Sequence, residues 1–274
     1  MKFGYVHILI IMLVGMYALP ATVIGQSDKQ PEDLKKIDVI EHLGEHIPLD
    51  LQFVNSAGDT VWLRDYFQDD KPVVLTLGYY QCPMLCNLVW NGLSNGLRNL
   101  DWTPGEEYRV LTVSIDPTET SELAKAKRYR YVEDFGKPIP DDGWLFLTGE
   151  EEQIGKLADA VGFQYFYVDD KEEYAHPAVI FILSPEGKIS RYLYGIEYKG
   201  NDLKFGLLEA SEGKIGSTLD RIILYCYHYD PNASSYVIFA GNLMRIGGGI
   251  TAVLLALLLG SLWARERLKS KKQA

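Results

Sequence analysis

The chain has 274 residues, 47% hydrophobic and 23% charged, with a formal net charge of −10. That length suits one domain of ordinary size with extensions, and the acidic balance argues against nucleic acid as a partner. With only three cysteines, the chain is not a disulfide-stapled scaffold; its thiols are either buried structural residues or serve redox exchange or metal capture.

Residues 1–25 open with Lys2, continue in an apolar run from Ile8 to Tyr17 and end in small residues from Ala21 to Gly25. This is the pattern of a secretory signal peptide cleaved after Gly25, and no cysteine follows it to make a lipoprotein. Residues 26–47 are polar and read as a flexible segment. The folded body is expected over residues 48–231. It begins with a β-hairpin, since Leu49, Leu51 and Phe53 alternate, Ser56-Ala57-Gly58-Asp59 turns, and Val61 and Leu63 resume the pattern.

The apolar run from Val73 to Leu77 reads as a buried strand, and Leu88, Val89, Leu93, Leu97 and Leu100 read as the face of a helix. Cys82 and Cys86 therefore stand where a strand hands over to a helix. Exposed backbone N–H groups and the positive end of the helix dipole stabilise a thiolate there. Residues four apart on a helix hold their Cβ atoms about 5–6 Å apart, a gap that suits two sulfurs on one metal ion and is wider than a relaxed disulfide prefers. Pro83 instead favours Cys82 in the turn, which keeps a reversible disulfide open.

Tyr108 to Ile115 reads as a strand stopped at Asp116-Pro117, Thr120 to Phe135 as a charged helix, and Trp144 to Leu147 as a short strand. Glu150 to Val161 forms a helix ending at Gly162, and Phe163 to Val168 an extended aromatic run. The strands Ala178 to Leu183 and Lys188 to Tyr194 flank the turn Ser184-Pro185-Glu186-Gly187, and a last helix spans Ser217 to Tyr225. This order predicts an α/β thioredoxin-like fold: a central mixed sheet flanked by helices, with an N-terminal β-hairpin.

Beyond it, residues 236–264 are apolar enough to make one transmembrane helix, with candidate belt residues Tyr225, Tyr227, Tyr229 and Tyr236 and a snorkelling Arg245 near one end. Arg265, Arg267, Lys269, Lys271 and Lys272 crowd the tail 265–274, so the positive-inside rule places that tail in the cytoplasm and the body outside it, in the periplasm.

His176 follows the acidic stretch from Asp169 to Glu173 and precedes Pro177. In a thioredoxin-type sheet that position lies beside the end of the central strand, close to Cys82 and Cys86. Two thiolates and one imidazole favour copper, because thiolate suits Cu(I) and imidazole helps accommodate Cu(II). A histidine beside a proline is equally a loop or capping residue, so the residue alone leaves both roles open.

Leu75 to Cys86, Val113 to Pro117, Trp144 to Gly149 and His176 to Gly187 together resemble the Sco/SenC family of exported, membrane-anchored copper proteins. The resemblance implies copper held by Cys82, Cys86 and His176, and a part in assembling the copper-A centre of cytochrome c oxidase, whose copper-A subunit would be the partner. It further implies that Asp116, the aspartate of the family's Asp-Pro motif, stands behind the ligands and tunes them; a turn or cap aspartate is the other reading. The chain departs from the family pattern at Met84, Leu85, Asn87 and Pro177, and in carrying its anchor at the C-terminus.

Two functions compete. One is a metallochaperone that passes copper on by ligand exchange, without enzymatic chemistry; the other is a thiol–disulfide oxidoreductase in which Cys82 attacks and Cys86 resolves. A peroxidase of the peroxiredoxin kind lacks its P-x-x-x-T/S-x-x-C motif here. Cys226 and His228 lie outside the resemblance. Leu219, Ile222, Ile223 and Cys226 fall at helical spacing, which makes Cys226 a core residue, while its pairing with His228 makes a second metal or thiol station the sharper alternative.

Overall fold

The computed structural model describes residues 37–212, 227–230, 235–238 and 240–270. The expected signal peptide, the expected helix over residues 217–225 and Cys226 lie outside these residues.

The first described residues are bonded to the body, where a flexible segment had been expected up to residue 47. Val39 bridges Phe163, His46 bridges Lys188, the His42 N–H donates to the Tyr192 hydroxyl at 2.8 Å, and Ile47 is buried. The polar composition concealed a segment whose backbone lies along two edges of the body and finds partners there.

A hairpin of β1 (Gln52–Asn55) and β2 (Thr60–Trp62) follows. Then come β3 (Val73–Gly78), α1 (Leu85–Arg98), β4 (Arg109–Ser114), α2 (Ser121–Glu133), β5 (Trp144–Thr148) and α3 (Glu151–Ala160). Two short strands, β6 (Phe166–Val168) and β7 (Glu173–Ala175), pair with each other. The hairpin β8 (Val179–Leu183) and β9 (Ile189–Tyr194) completes the sheet, whose order is β2-β1-β5-β4-β3-β8-β9.

β3 runs parallel to β4, and β4 to β5, while β8 lies antiparallel to β3. Every residue of β3, β4 and β5 is buried, as expected for strands covered on both faces, and this explains why they read as continuous apolar runs instead of alternating ones. Val89, Leu93 and Leu97 form the buried stripe of α1, with Trp90 beside them. The fold is thioredoxin-like, with a central mixed sheet and an N-terminal hairpin.

Gly162 ends α3 at a φ of 66°, and a Cβ there would sit 1.8 Å from the carbonyl oxygen of Ile40. Only glycine permits both that backbone and that contact.

Besides β7, three elements were not foreseen. α4 (Gly200–Ala210) packs against β8 and β9. β10 (Tyr227–Asp230) and β11 (Ser235–Ile238) form a separate antiparallel pair. The apolar stretch from Tyr236 therefore opens as a strand: Ser-Tyr-Val-Ile is rich in β-formers, and the Tyr236 N–H donates to Asp202 of α4 at 2.8 Å. Helix α5 (Ala240–Ser270) begins after it. Its segment Met244–Ser261 has a mean hydropathy of 1.7 and is long and apolar enough to cross a membrane.

Candidate metal centre

The handover from β3 to α1 builds the site. β3 ends at Gly78, where a Cβ would lie 3.0 Å from both Cys86 Sγ and the Trp90 ring. Glycine at this point lets the sulfur seat against the strand. The chain then turns through Tyr79 to Pro83, and α1 begins with Met84 as its N-cap residue. Cys82 is thus in the turn, as Pro83 indicates, and Cys86 is the second residue of the helix. The Cys86 N–H, which has no partner within the helix, donates to Cys82 Sγ at 3.3 Å, so the sulfur serves as the cap of the helix. The Tyr79 N–H donates to Cys86 Sγ at 3.3 Å.

His176 arrives from the opposite side, in the bend between β7 and β8. Its Nδ1 lies 3.0 Å from the Pro177 carbonyl, an acceptor that requires Nδ1 to carry the proton and leaves Nε2 with a free lone pair. That nitrogen is 3.1 Å from Cys86 Sγ. Cys82, Cys86 and His176 are each less than 7% exposed, and their donor atoms all lie within 4.8 Å of one another. Three donors with metal bonds of about 2.0–2.3 Å in one plane stand roughly 3.7–4.0 Å apart. With Cys86 Sγ and His176 Nε2 at 3.1 Å and no pair beyond 4.8 Å, every pair is within about 1 Å of that spacing. The residues fit a soft metal ion.

The electrostatics divide the two thiols. Hydrogen bonding from Cys86 holds the Cys82 thiol far below the ordinary range, at about 3, against the opposing effect of burial, with backbone N–H groups adding to it. Burial pushes the Cys86 thiol up, and the neighbouring Cys82 charge reinforces that. Cys82 is the thiolate of the pair and Cys86 keeps the proton.

The surroundings are aromatic. The Tyr79 ring meets the His176 ring edge-on at 6.2 Å, and Phe163 lies 5.7 Å from it on another side. Tyr79 packs in turn on Tyr174 at 5.5 Å. Burial, then the Cys82 charge and a hydrogen bond to it, raises the Tyr79 hydroxyl well above the usual phenol range.

Asp116 closes a turn. Its Oδ1 accepts from the Thr118 N–H at 2.8 Å and from the Thr118 hydroxyl at 2.7 Å, which is a turn motif. The carboxylate that supports the site is Glu119, which sequence reasoning missed. It is buried and accepts from the N–H groups of Tyr80 and Gln81, both at 2.7 Å, and from the Ser114 hydroxyl at 2.6 Å. Burial raises its pKa while these bonds pull the other way. Glu119 so clamps the backbone immediately before Cys82 to the end of β4. Asn87 also holds this turn: its Nδ2 donates to the Cys82 carbonyl at 2.8 Å, and Lys127 of α2 donates to its Oδ1 at 2.9 Å.

His228 lies in β10 opposite Val237; its companion Cys226 is outside the described residues.

A thioredoxin-like sheet with two thiols and an imidazole converging at the β3–α1 turn defines a protein of the metal-handling or thiol-handling thioredoxin class. The SCO1/SenC family profile matches residues 42–202, and the chain belongs to that family. Among solved structures it is similar to a putative electron transfer protein from Aquifex aeolicus VF5, at 30% identity and a TM-score of 0.55 over 63% of this chain and 96% of that one. It is also similar to a putative electron transport protein from the same organism, at 28% identity and a TM-score of 0.48 over 63% of this chain and 99% of that one. ScoI of Arabidopsis thaliana, solved with copper bound, matches at 21% identity and a TM-score of 0.45 over 59% of this chain and 96% of that one. Comparison with functionally curated proteins returned no match.

Proposed function

We propose that the chain is an exported, membrane-tethered copper metallochaperone that delivers copper for assembly of the copper-A centre of cytochrome c oxidase. The observation that carries this reading is the buried convergence of Cys82, Cys86 and His176, whose donor atoms lie within 4.8 Å of one another. Two sulfurs match Cu(I), and the imidazole extends the site to Cu(II). Delivery is ligand exchange with the copper-A subunit, and no bond within a substrate is broken. Membership of the SCO1/SenC family supports copper as the cargo.

On this reading residues 1–25 direct export, residues 48–231 work in the periplasm, the apolar part of α5 crosses the membrane, and the basic residues at 265–274 stay in the cytoplasm. The helix length and hydropathy support the tether.

The test uses the full chain in detergent. Wild type is expected to bind copper in a fixed ratio to protein, and His176→Ala to lose at least about tenfold in copper retention against a chelator while thiol exchange with glutathione persists. A His176→Ala variant that supports oxidase assembly as well as wild type would replace this reading with the thiol–disulfide oxidoreductase, in which copper is not the cargo. Cys226→Ser should leave the copper ratio unchanged; a lower ratio would establish a second station with His228.

A further inference from the structure

The three donors are buried, yet copper must reach and leave them. Between the two thiols stands a fourth soft donor in the open: Met84 is 66% exposed. What sets Met84 apart from the other exposed apolar side chains is its place in the chain between the two thiol ligands. Among the described residues only one other methionine occurs, Met244 in the apolar part of α5. Met84 is also tied to the attacking sulfur. It is the N-cap residue of α1, two positions from Cys82, whose Sγ lies at the same helix end and accepts the Cys86 N–H at 3.3 Å, so its Cα is within about 7 Å of the Cys82 Cα. A largely exposed, unbranched side chain with three rotatable bonds, starting from there, is long enough to fold back over Cys82 or swing away from it.

We infer that Met84 is a fourth, transient copper ligand: its thioether and the Cys82 sulfur form a Cu(I) transit position through which the ion passes into and out of the buried Cys82–Cys86–His176 site. This rests on the copper-carrier reading above. A thioether is neutral, soft and free of acid–base chemistry, so it binds Cu(I) and discriminates against harder divalent ions. On loading, Cu(I) is held between Met84 Sδ and Cys82 Sγ. The Cu–S bond to Cys86 then forms as the Cys86 proton leaves to water, His176 Nε2 donates its lone pair, and the bond to Met84 breaks. Unloading runs the same exchange backwards. No electron is transferred at any stage, and the copper stays Cu(I).

Two measurements test this on the reduced full chain in detergent. In stopped flow, Cu(I) transfer to bathocuproine disulfonate is expected to slow by about tenfold in Met84→Leu, a substitution that keeps the volume and removes the soft donor, with the copper-to-protein ratio unchanged. Because Met84 is exposed, the thermal midpoint should match wild type. The second measurement traps the transit position: X-ray absorption on Cys86→Ser loaded with Cu(I) should show about two sulfur neighbours, and Cys86→Ser/Met84→Leu about one. Equal transfer rates in wild type and Met84→Leu, or one sulfur in both trapped variants, would overturn the transit position while leaving the carrier reading in place. A wild-type chain that takes up no Cu(I) at all would overturn both.

Discussion

Cys82 and Cys86 are four residues apart in sequence and opposite in chemistry, and the difference comes from the hydrogen bonds that Cys82 receives and the deeper burial of Cys86. Cys82 receives bonds from backbone N–H groups and from Cys86, while Cys86 is packed under Trp90 and the β3 terminus. In the reduced metal-free chain the Cys82 thiol, held at about 3, is already ionised at pH 5. Its alkylation by iodoacetamide should therefore change little between pH 5 and pH 8. A thiol with the ordinary pKa of about 8.5 would slow by roughly 800-fold over the same interval. Peptide mass spectrometry should find the label on Cys82 and not on Cys86; a steep pH dependence would show that the thiolate is not held as described. Glu119 illustrates the limit of reading single residues. In the run Asp-Pro-Thr-Glu-Thr the aspartate beside the proline draws attention as the functional acid, but that aspartate turns inward on Thr118 and the glutamate three positions later is the one buried against the site. The only signal for it was Ser114 at the end of a fully buried strand, a hydroxyl in need of a partner.

Helix α1 sets the depth at which Cys86 is presented, and it does so through close backbone contact. A Cβ on Gly92 would lie 1.9 Å from the Ile196 carbonyl oxygen, and one on Gly96 2.5 Å from that of Tyr198. Alanine at position 92 would gain about 1 kcal/mol of helix propensity. Backbone contact of this kind cannot be relieved by a rotamer, so overpacking of about 1–3 kcal/mol or more outweighs that gain. Gly92→Ala should lower the urea midpoint and reduce copper retention together, because α1 can only be displaced as a rigid rod that carries Cys86 with it; unchanged values for both would show that the loop after β9 yields instead. The strands and the first helices were legible because their apolar runs are continuous where both faces are covered, as in β3, β4 and β5. α4 was not, since its sequence mixes two glycines and an aspartate with its buried leucines. Asp202 is buried there not by packing preference but because it accepts the Tyr236 N–H from a strand far along the chain. Likewise the pairing of Cys82 and Cys86 with His176 rested on the expected sheet order, since nothing local to His176 announces that its free nitrogen faces a thiol.

The last strand pair is bound to the body by a small, partly buried network. Asp202 accepts the Tyr236 N–H, the Tyr236 hydroxyl donates to Glu209 at 2.7 Å, Arg191 pairs with Glu209 at 2.7 Å, and the Phe205 ring lies 5.3 Å from that of Tyr236. Asp202→Ala would leave a buried N–H unsatisfied, at a cost of about 1–3 kcal/mol. Hydrogen exchange should then speed up at the Tyr236 amide while the β3 amides keep their protection; loss of protection in both places would mean that the strand pair and the sheet unfold as one unit. A single residue separates the end of β11 at Ile238 from the start of α5 at Ala240. With α5 seated in a bilayer, that junction is a leash of almost no length, fastened to the body through Tyr236. A domain of about 200 residues has a radius of gyration near 16 Å, so every point on it stays within roughly 40 Å of the lipid. If α5 is the membrane anchor and copper the cargo, exchange is restricted to acceptors embedded in the same membrane whose receiving groups rise no higher than that, and sharing so thin a layer brings donor and acceptor together more often than free diffusion through the surrounding volume would.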